Sequence, residues 1–251
     1  MLRLQDIVLQ YNHPDGGVQT VLNHIDLTIA PGERWAVIGP SGCGKSSMLH
    51  LLAGLQSPTS GTVQYRQQTL VKPHSEISVI LQEYGLFPWK TVAQNVALPL
   101  LLQKQPKADV QQKVSALLEQ LHLSEHSKKF PSQLSGGQRQ RVAIARALIA
   151  QPNVLLMDEP FSALDALTRE VMQNIVLELC EQQNLTLVLV THNIEEAIFL
   201  GQKIAVFSDN SGSISRIVDN AHSGVVSYRG TAEFYQQCSL LRGWIGGDTD
   251  A

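Results

Sequence analysis

A glycine-rich loop at residues 39–46 constrains the fold of this chain more than any other feature. It reads Gly-Pro-Ser-Gly-Cys-Gly-Lys-Ser, and it lies between an apolar run and a helical pattern at residues 47–53. In this setting the glycines expose backbone N–H groups to phosphates, and the helix N-terminus favours an anion. We expect Lys45 to reach the β- and γ-phosphates and Ser46 to ligate Mg²⁺. The alternative, a chance glycine-rich turn, is disfavoured by the flanking strand and helix patterns.

Four short apolar runs are typical of strands in a parallel sheet that is covered on both faces. They are Trp35–Ile38, Ile77–Leu81, Val154–Met157 and Leu185–Val190. Ligands of open α/β sheets bind beyond the carboxyl ends of the strands. The residues that follow these ends are Lys45, Gln82, Asp158, Glu159 and His192. We therefore predict that they meet in one active site.

Two adjacent carboxylates follow the third apolar run. Asp158 and Glu159 would repel each other unless a cation or a proton separates their roles. Asp158 is suited to hold Mg²⁺ opposite the glycine-rich loop, and Glu159 is suited to polarise an attacking water. The alternative is an ordinary solvated strand end.

A second anion site is predicted where residues Ser135-Gly136-Gly137 open a helix. Ser135 is a plausible N-cap, and the two glycines leave backbone N–H groups uncovered. Two cradles for one triphosphate suggest that it is clamped from two sides. An ordinary capped helix is the alternative.

The remaining segments are less specific. Residues 1–30 alternate like an antiparallel sheet with a turn at residues 12–17. Residues from about 91 to 133 are predicted to be helical, with the clearest spacing from Ala108 to Leu121. Residues after about 221 are weakly patterned and receive no assignment.

Composition excludes several classes of protein. The chain has 19 Lys and Arg against 22 Asp and Glu, a net charge of −3, so it offers no basic footprint for wrapping nucleic acid. Three cysteines without CxxC spacing fit a reducing cytosol and argue against a zinc site. No apolar run approaches the roughly 18 residues needed to span a bilayer. If the chain acts at a membrane, we expect it to do so through partner proteins.

The complete motif at residues 134–138, Leu-Ser-Gly-Gly-Gln, lies between the glycine-rich loop and the Asp158–Glu159 strand. In this order the motifs resemble the ATP-binding subunits of ABC transporters, over roughly residues 1–210. The resemblance implies an α/β fold, a P-loop NTPase (RecA-like) core with an N-terminal antiparallel β subdomain and an inserted α-helical subdomain. It implies one ATPase domain over residues 1–251, with the insertion at approximately 84–137 and an unassigned tail at approximately 221–251.

The same resemblance implies roles for individual residues. Tyr11 would stack on adenine, although it could also be an edge-strand aromatic. Gln82 would link Mg²⁺ and water to the membrane partner, and His192 would contact the γ-phosphate. Residues 135–137 would grip the ATP of an opposite subunit in a head-to-tail dimer, and residues 162–165 would communicate across it. The implied ATP-binding set is Tyr11, Gly39, Pro40, Ser41, Gly42, Cys43, Gly44, Lys45, Ser46, Ser47, Ser135, Gly136, Gly137, Gln138 and Asp165, with Glu159, His192 and Gln82 as the catalytic set and Ser46, Gln82 and Asp158 for Mg²⁺.

Residues 82–92, 165–169 and 194–197 narrow the resemblance to importers of nitrate, sulfonate, taurine and related compounds. This implies a homodimer or a heterodimer of cassettes on the cytoplasmic face of the membrane, with permease subunits and, indirectly, a solute-binding protein. Phe87 and Trp89 would suit a docking groove, or they could pack inside the helical block. Asn193, Ser47 and residues 210–213 depart from the common pattern, and the last of these puts the solute in doubt.

Two other functions share these motifs. An exporter subunit would carry every catalytic motif, whereas a soluble ABC ATPase acting on nucleic acid or ribosomes would usually show a second cassette, a coiled-coil insertion or a basic surface.

Cys43 lies near a helix N-terminus that should favour its thiolate, so we expect maleimide to inhibit ATP hydrolysis and ATP to protect against this inhibition. The alternative is that Cys43 is a small residue that fills space and has no role in the chemistry.

Overall fold

The computed structural model describes residues 1–12, 16–208 and 212–246, which form two sheets flanked by helices. The strands are β1 (Leu2–Asn12), β2 (Val18–Ile29), β3 (Arg34–Ile38), β4 (Ser60–Tyr65), β5 (Gln68–Thr69), β6 (Ile77–Ile80), β7 (Val154–Asp158), β8 (Thr186–Val190), β9 (Lys203–Phe207) and β10 (Ile214–Asp219). The helices are α1 (Lys45–Leu52), α2 (Val92–Leu102), α3 (Lys107–Gln120), α4 (Gly136–Leu148), α5 (Ala166–Gln183), α6 (Ile194–Leu200) and α7 (Ala232–Gly246).

The six-stranded sheet has the order β10-β9-β3-β8-β7-β6, with β10 antiparallel at one edge and the other strands parallel. The four predicted apolar runs are its strands β3, β6, β7 and β8. Every residue of β3, β7 and β8 is buried, as expected when helices cover both faces of a parallel sheet. The predicted α/β fold is therefore confirmed. The neighbouring parallel strands β3, β8, β7 and β6 have their carboxyl ends on the same side of the sheet.

The N-terminal residues form a four-stranded antiparallel sheet of order β2-β1-β4-β5. Leu2 pairs with Ile29 and Leu4 with Leu27, so alternate side chains of both strands enter one core. Residues 13–15 of the predicted turn at 12–17 lie outside the described residues.

Helix α4 belongs to two hydrophobic clusters at once. Ala143 and Ile144 pack with residues of β6 and β7, whereas Val142 and Ala145 pack with residues of α2 and α3. The helical block predicted from about residue 91 thus contains α2, α3 and short 3₁₀ turns at Ser124–His126 and Pro131–Gln133.

The C-terminal residues that the sequence left unassigned form a 3₁₀ turn at Val226–Tyr228 and the helix α7. Phe234, Cys238 and Leu241 are buried against residues of α6 and β9. Their spacing of four and three residues is a helical signal. In the described part of the chain, no helix has the length and apolar character needed to cross a membrane.

Candidate functional site

The glycine-rich loop connects β3 to α1, and its backbone requires glycine at one position in particular. Gly44 has φ +102°, and a Cβ there would lie 2.6 Å from the carbonyl oxygen of Val21 on β2. The Lys45 ammonium donates hydrogen bonds to the carbonyl oxygens of Gly39, at 2.9 Å, and Pro40, at 2.6 Å. The loop therefore curls around the Lys45 amine and holds it at the start of α1.

The loop also encloses Cys43. Its side chain is buried, and its Sγ atom lies 3.6 Å from the Nζ atom of Lys45. A cavity of about 110 Å³ lies beside it, lined by residues 19–21 of β2, residues 41–43 of the loop and Gly212. The burial favours the space-filling interpretation of Cys43, and inhibition by maleimide stays a prediction.

Asp158 and Ser46 meet opposite each other at the mouth of the loop. The Ser46 hydroxyl donates to Oδ1 of Asp158 at 3.1 Å. Burial raises the pKa of Asp158, the hydrogen bond from Ser46 opposes that rise, and the Glu159 carboxylate adds to it. The described residues contain no group of three His, Cys, Asp or Glu side chains that could hold a metal ion. A hydroxyl and a carboxylate oxygen nevertheless fit Mg²⁺, which is usually bound by few protein oxygens together with phosphates and water.

Glu159 lies where side chains from three strand ends converge. Its Oε2 atom is 3.2 Å from Nδ1 of His192 and 3.5 Å from Nε2 of Gln82. Its backbone has φ +44°, while its N–H still donates to the carbonyl oxygen of Val190 at 2.9 Å. The left-handed turn therefore redirects the chain directly after β7, beside a cavity of about 460 Å³ that Glu159, His192 and Ser162 help to line. The structure brings together the three side chains that the sequence predicted to be catalytic.

The predicted second anion site lies elsewhere in the chain. Ser135 caps α4 in a capping box: its hydroxyl accepts from the Gln138 N–H at 3.3 Å, and its own N–H donates to Gln138 Oε1 at 2.9 Å. A Cβ on Gly137 would lie 2.9 Å from Cγ2 of Thr168, and one on Gly136 would lie 3.6 Å from the carbonyl oxygen of Ala163. Within the described residues, no hydrogen bond or ion pair joins residues 135–138 to the glycine-rich loop.

Tyr11 and Asp165 lie at the borders of this region. β1 is an inner strand of its sheet, but Tyr11 lies beyond the last residue that pairs with β4, so β2 is its one neighbouring strand and both interpretations of Tyr11 stay predictions. The backbone of Tyr11 pairs in register with Gln19 of β2, and its exposed side chain forms a hydrogen bond from the hydroxyl to the Gln56 side chain. Asp165 is the N-cap of α5 and accepts from the Thr168 N–H at 3.0 Å, which lowers its pKa.

Three further side chains support the site and were missed in the sequence. The Arg169 guanidinium donates to the carbonyl oxygen of Leu164 at 2.8 Å and lies 3.5 Å from Oε1 of Glu196. The Thr191 hydroxyl, directly before His192, donates to Oε2 of Glu196 at 2.6 Å. Burial raises the pKa of Glu196, with Thr191 and Arg169 opposing the rise. A buried glutamate within the mostly apolar helix α6 was the one signal available.

Comparison with known proteins is consistent with this geometry. A family model described as ABC transporter matches residues 22–162. The chain is 47% identical over 204 residues to the aliphatic sulfonates import ATP-binding protein SsuB of Bacillus subtilis (strain 168), covering 81% of this chain and 79% of that protein. It is 43% identical over 199 residues to the taurine import ATP-binding protein TauB of Chromobacterium violaceum, covering 79% of this chain and 76% of TauB.

Among solved structures, the chain resembles the ATP-binding cassette MJ0796 in a dimeric post-hydrolysis state bound to ADP and Pi. The TM-score is 0.80 at 31% identity, and the match covers 87% of this chain and 98% of that one. A second dimeric structure of MJ0796 matches with the same TM-score at 32% identity and the same coverage.

Proposed function

This chain belongs to the ABC transporter family, and from that premise we propose that it hydrolyses ATP to drive an importer whose membrane-spanning permease is a separate protein. The observation that carries the ATPase assignment is the convergence of Glu159, His192 and Gln82 beside the phosphate loop. The import assignment is supported by 47% identity, over most of both chains, to a relative named for the import of aliphatic sulfonates.

The positions of the site residues support the following proposed roles. The backbone N–H groups of residues 39–46 and the Lys45 ammonium bind the phosphates of ATP, and the exposed ring of Tyr11 stacks on the adenine. Glu159 polarises the attacking water, while His192 and Gln82 hold its carboxylate and the γ-phosphate in line. Ser46, Asp158 and the amide oxygen of Gln82 would hold Mg²⁺, which neutralises phosphate charge when bound.

The functional unit is a head-to-tail dimer. Ser135, Gly136 and Gly137 would face the phosphate loop of the second subunit, and the similarity to dimeric cassette structures supports this arrangement. Asp165 lies at the start of α5 beside these glycines and contributes to the same interface. The helical block at approximately 84–137 acts as the inserted subdomain of a single ATPase domain, and approximately 221–251 acts as its tail.

An exposed aromatic pair is the proposed contact with the permease. Trp89 is 70% exposed, and its ring centroid lies 5.5 Å from that of the half-buried Phe87. An exposed aromatic next to a second ring is suited to pack against an apolar helix of a partner. This contact holds the chain at the cytoplasmic face of the membrane, with a solute-binding protein as an indirect partner and nitrate, a sulfonate, taurine or a similar small compound as the solute.

Affinity purification from native membranes in mild detergent tests this proposal. The wild-type chain is expected to retain a multi-span permease and a solute-binding protein, both identified by mass spectrometry. Trp89→Ala should lose the permease, whereas Tyr235→Ala, at another exposed aromatic on α7, should keep it. A permease that consistently comes without a binding protein would contradict import, and ribosomal or nucleic-acid partners alone would contradict transport altogether.

A further inference from the structure

One arginine fixes the loop that follows Gln82 to helix α4. The guanidinium of Arg146 donates from Nη1 to the carbonyl oxygen of Gly85 and from Nη2 to that of Tyr84, both at 2.6 Å. Burial lowers the pKa of Arg146. A guanidinium is a planar fork of donors, so it bonds two neighbouring carbonyls in a fixed geometry that an ammonium does not reproduce.

The backbone of this loop is shaped to offer those two carbonyls. Tyr84 has φ +62° and Gly85 has φ +55°, so two consecutive residues occupy the left-handed region. For Tyr84 this conformation is unfavourable, and surrounding contacts must offset its cost. Its buried ring and the Arg146 hydrogen bond supply such contacts. The strained turn therefore depends on α4.

The same loop is held at its far end by a buried side chain. Asn95 of α2 accepts from the N–H of Phe87 at 2.8 Å and donates to the carbonyl oxygens of Phe87, Lys90 and Thr91 at 3.0–3.1 Å. The Arg146 guanidinium also lies 6.0 Å from the centre of the Phe87 ring, which contacts Trp89. Residues 84–91 consequently form a fixed segment and carry the exposed Trp89 on it.

The opposite end of α4 begins at Gly136, directly after its N-cap Ser135. The helix is 13 residues long and has no proline, so a displacement at Arg146 is transmitted along it rather than absorbed. Arg146 lies near the C-terminal end, and residues 135–137 lie at the N-terminal end. One helix therefore joins the exposed aromatic segment to the residues that face the second subunit.

We propose that Arg146 is a positioning residue that couples permease contact at Trp89 to the placement of Ser135, Gly136 and Gly137. This inference rests on the proposed function, because it takes the permease to be the protein that moves Trp89. When the permease shifts the 84–91 segment, the two carbonyl hydrogen bonds make α4 follow. Arg146 itself lies outside the group of side chains that meet at the phosphates.

ATP turnover measured with and without the permease tests the coupling. The isolated chain is compared with the complex of this chain and its co-purified permease in nanodiscs of phosphatidylethanolamine and phosphatidylglycerol. Arg146→Gln should reduce the permease-dependent stimulation by about fivefold or more, while the turnover of the isolated chain stays within about twofold. Arg146→Lys should give an intermediate stimulation, since an ammonium retains one of the two bonds.

Arg216 offers a matched control, because its guanidinium lies 4.5 Å from the centre of the Trp244 ring, away from the loop. Arg216→Gln should retain full stimulation. Retained stimulation in Arg146→Gln would overturn the inference, and so would a parallel fall of isolated turnover, stimulated turnover and melting temperature, which indicates a purely structural role. A wild-type complex without stimulation would refute the proposed function itself, and this inference with it.

Discussion

Glu159 is the residue to which the proposed function gives the central chemical role. Strand β7 ends at Asp158, and Glu159 turns out of the strand at φ +44° while its N–H still pairs with β8. Its carboxylate thereby faces Gln82 and His192 instead of the sheet. A glutamate held in this position can accept a proton from water, whereas a glutamine cannot.

Glu159→Gln should therefore lower ATP turnover by about 10²-fold or more while nucleotide binding is retained. The amide has the same shape and can keep a hydrogen bond to His192, so the loss isolates the basic oxygen. Steady-state phosphate release and nucleotide binding by calorimetry measure the two effects. Glu178→Gln, the same change at an exposed position of α5, should have no effect. Normal turnover in Glu159→Gln would exclude Glu159 as the principal base.

Asp158 gives a prediction about pH. Because its pKa is raised by burial, the fold favours the protonated carboxyl. Its contribution to stability is complete below the pKa of an unfolded aspartate and is lost as the pH rises through the raised value. Without nucleotide and Mg²⁺, Asp158→Asn should therefore melt at a higher temperature than the wild type at pH 7, and the difference should shrink towards about pH 4.

Thermal melting between pH 4 and pH 8 measures this difference. With Mg²⁺ and ATP present the order should reverse, since the amide carries no charge for the metal. A variant that melts lower than the wild type at pH 7 without ligand would contradict the raised pKa of Asp158.

The residues that meet at the strand ends were predictable, because strand order and motif spacing place them there before any side chain is located. Arg169, Thr191 and Glu196 were not, because their hydrogen bonds depend on the angle at which α5 and α6 lie over the sheet. The environment of Cys43 was also unpredictable, since burial of a loop residue depends on how β2 packs over the loop.

Helix α4 shows how one element serves two parts of the fold. Its amino end lies against the start of α5, its middle is shared by two hydrophobic clusters, and its carboxyl end holds the loop after Gln82. The two glycines at its start differ in the space around them. Gly137 faces Cγ2 of Thr168 at a distance too short for a methyl group, whereas Gly136 has room for one.

This difference separates strain within the chain from contacts across the dimer. Gly137→Ala should destabilise the isolated chain by about 1–3 kcal/mol, because the new methyl group overpacks against Thr168. Gly136→Ala should unfold like the wild type and yet hydrolyse ATP more slowly, because its methyl group covers the surface offered to the second subunit. Urea unfolding and ATPase assays report the two effects. Equal stability losses in both variants would contradict the packing at Gly137.

At the scale of helices and strands, the sequence predicted the elements whose apolar residues recur with a clear period. The parallel strands and the helix from Ala108 to Leu121, observed as α3, followed from their apolar period. Helix α7 did not, because exposed Tyr235 and Leu240 lie among its three buried residues and blur their period, and its apolar partners lie on α6 and β9, distant in sequence. The proposed coupling through Arg146 could not be predicted either. The guanidinium bonds backbone carbonyl oxygens, which every residue has, so the sequence contains no sign of these contacts.

On the proposed function, the molecule contains the two halves of an ATP site and presents them apart. The phosphate loop with Glu159 and His192 forms one half, and residues 135–137 beside α5 form the other. In this proposal two copies arranged head to tail would complete two sites at once, and the cassette that this chain resembles is dimeric and bound to ADP and Pi. ATP then acts as a bridge between subunits, and its hydrolysis releases them.

The mass of Glu159→Gln in solution with Mg²⁺ and ATP tests this account most directly. Light scattering during size-exclusion chromatography should give twice the mass of one chain with ATP, and the mass of one chain with ADP. The double variant that adds Lys45→Ala should stay monomeric with ATP, because the bridging triphosphate is then bound too weakly. A Glu159→Gln chain that binds ATP fully and yet keeps the mass of a single copy would contradict the head-to-tail site.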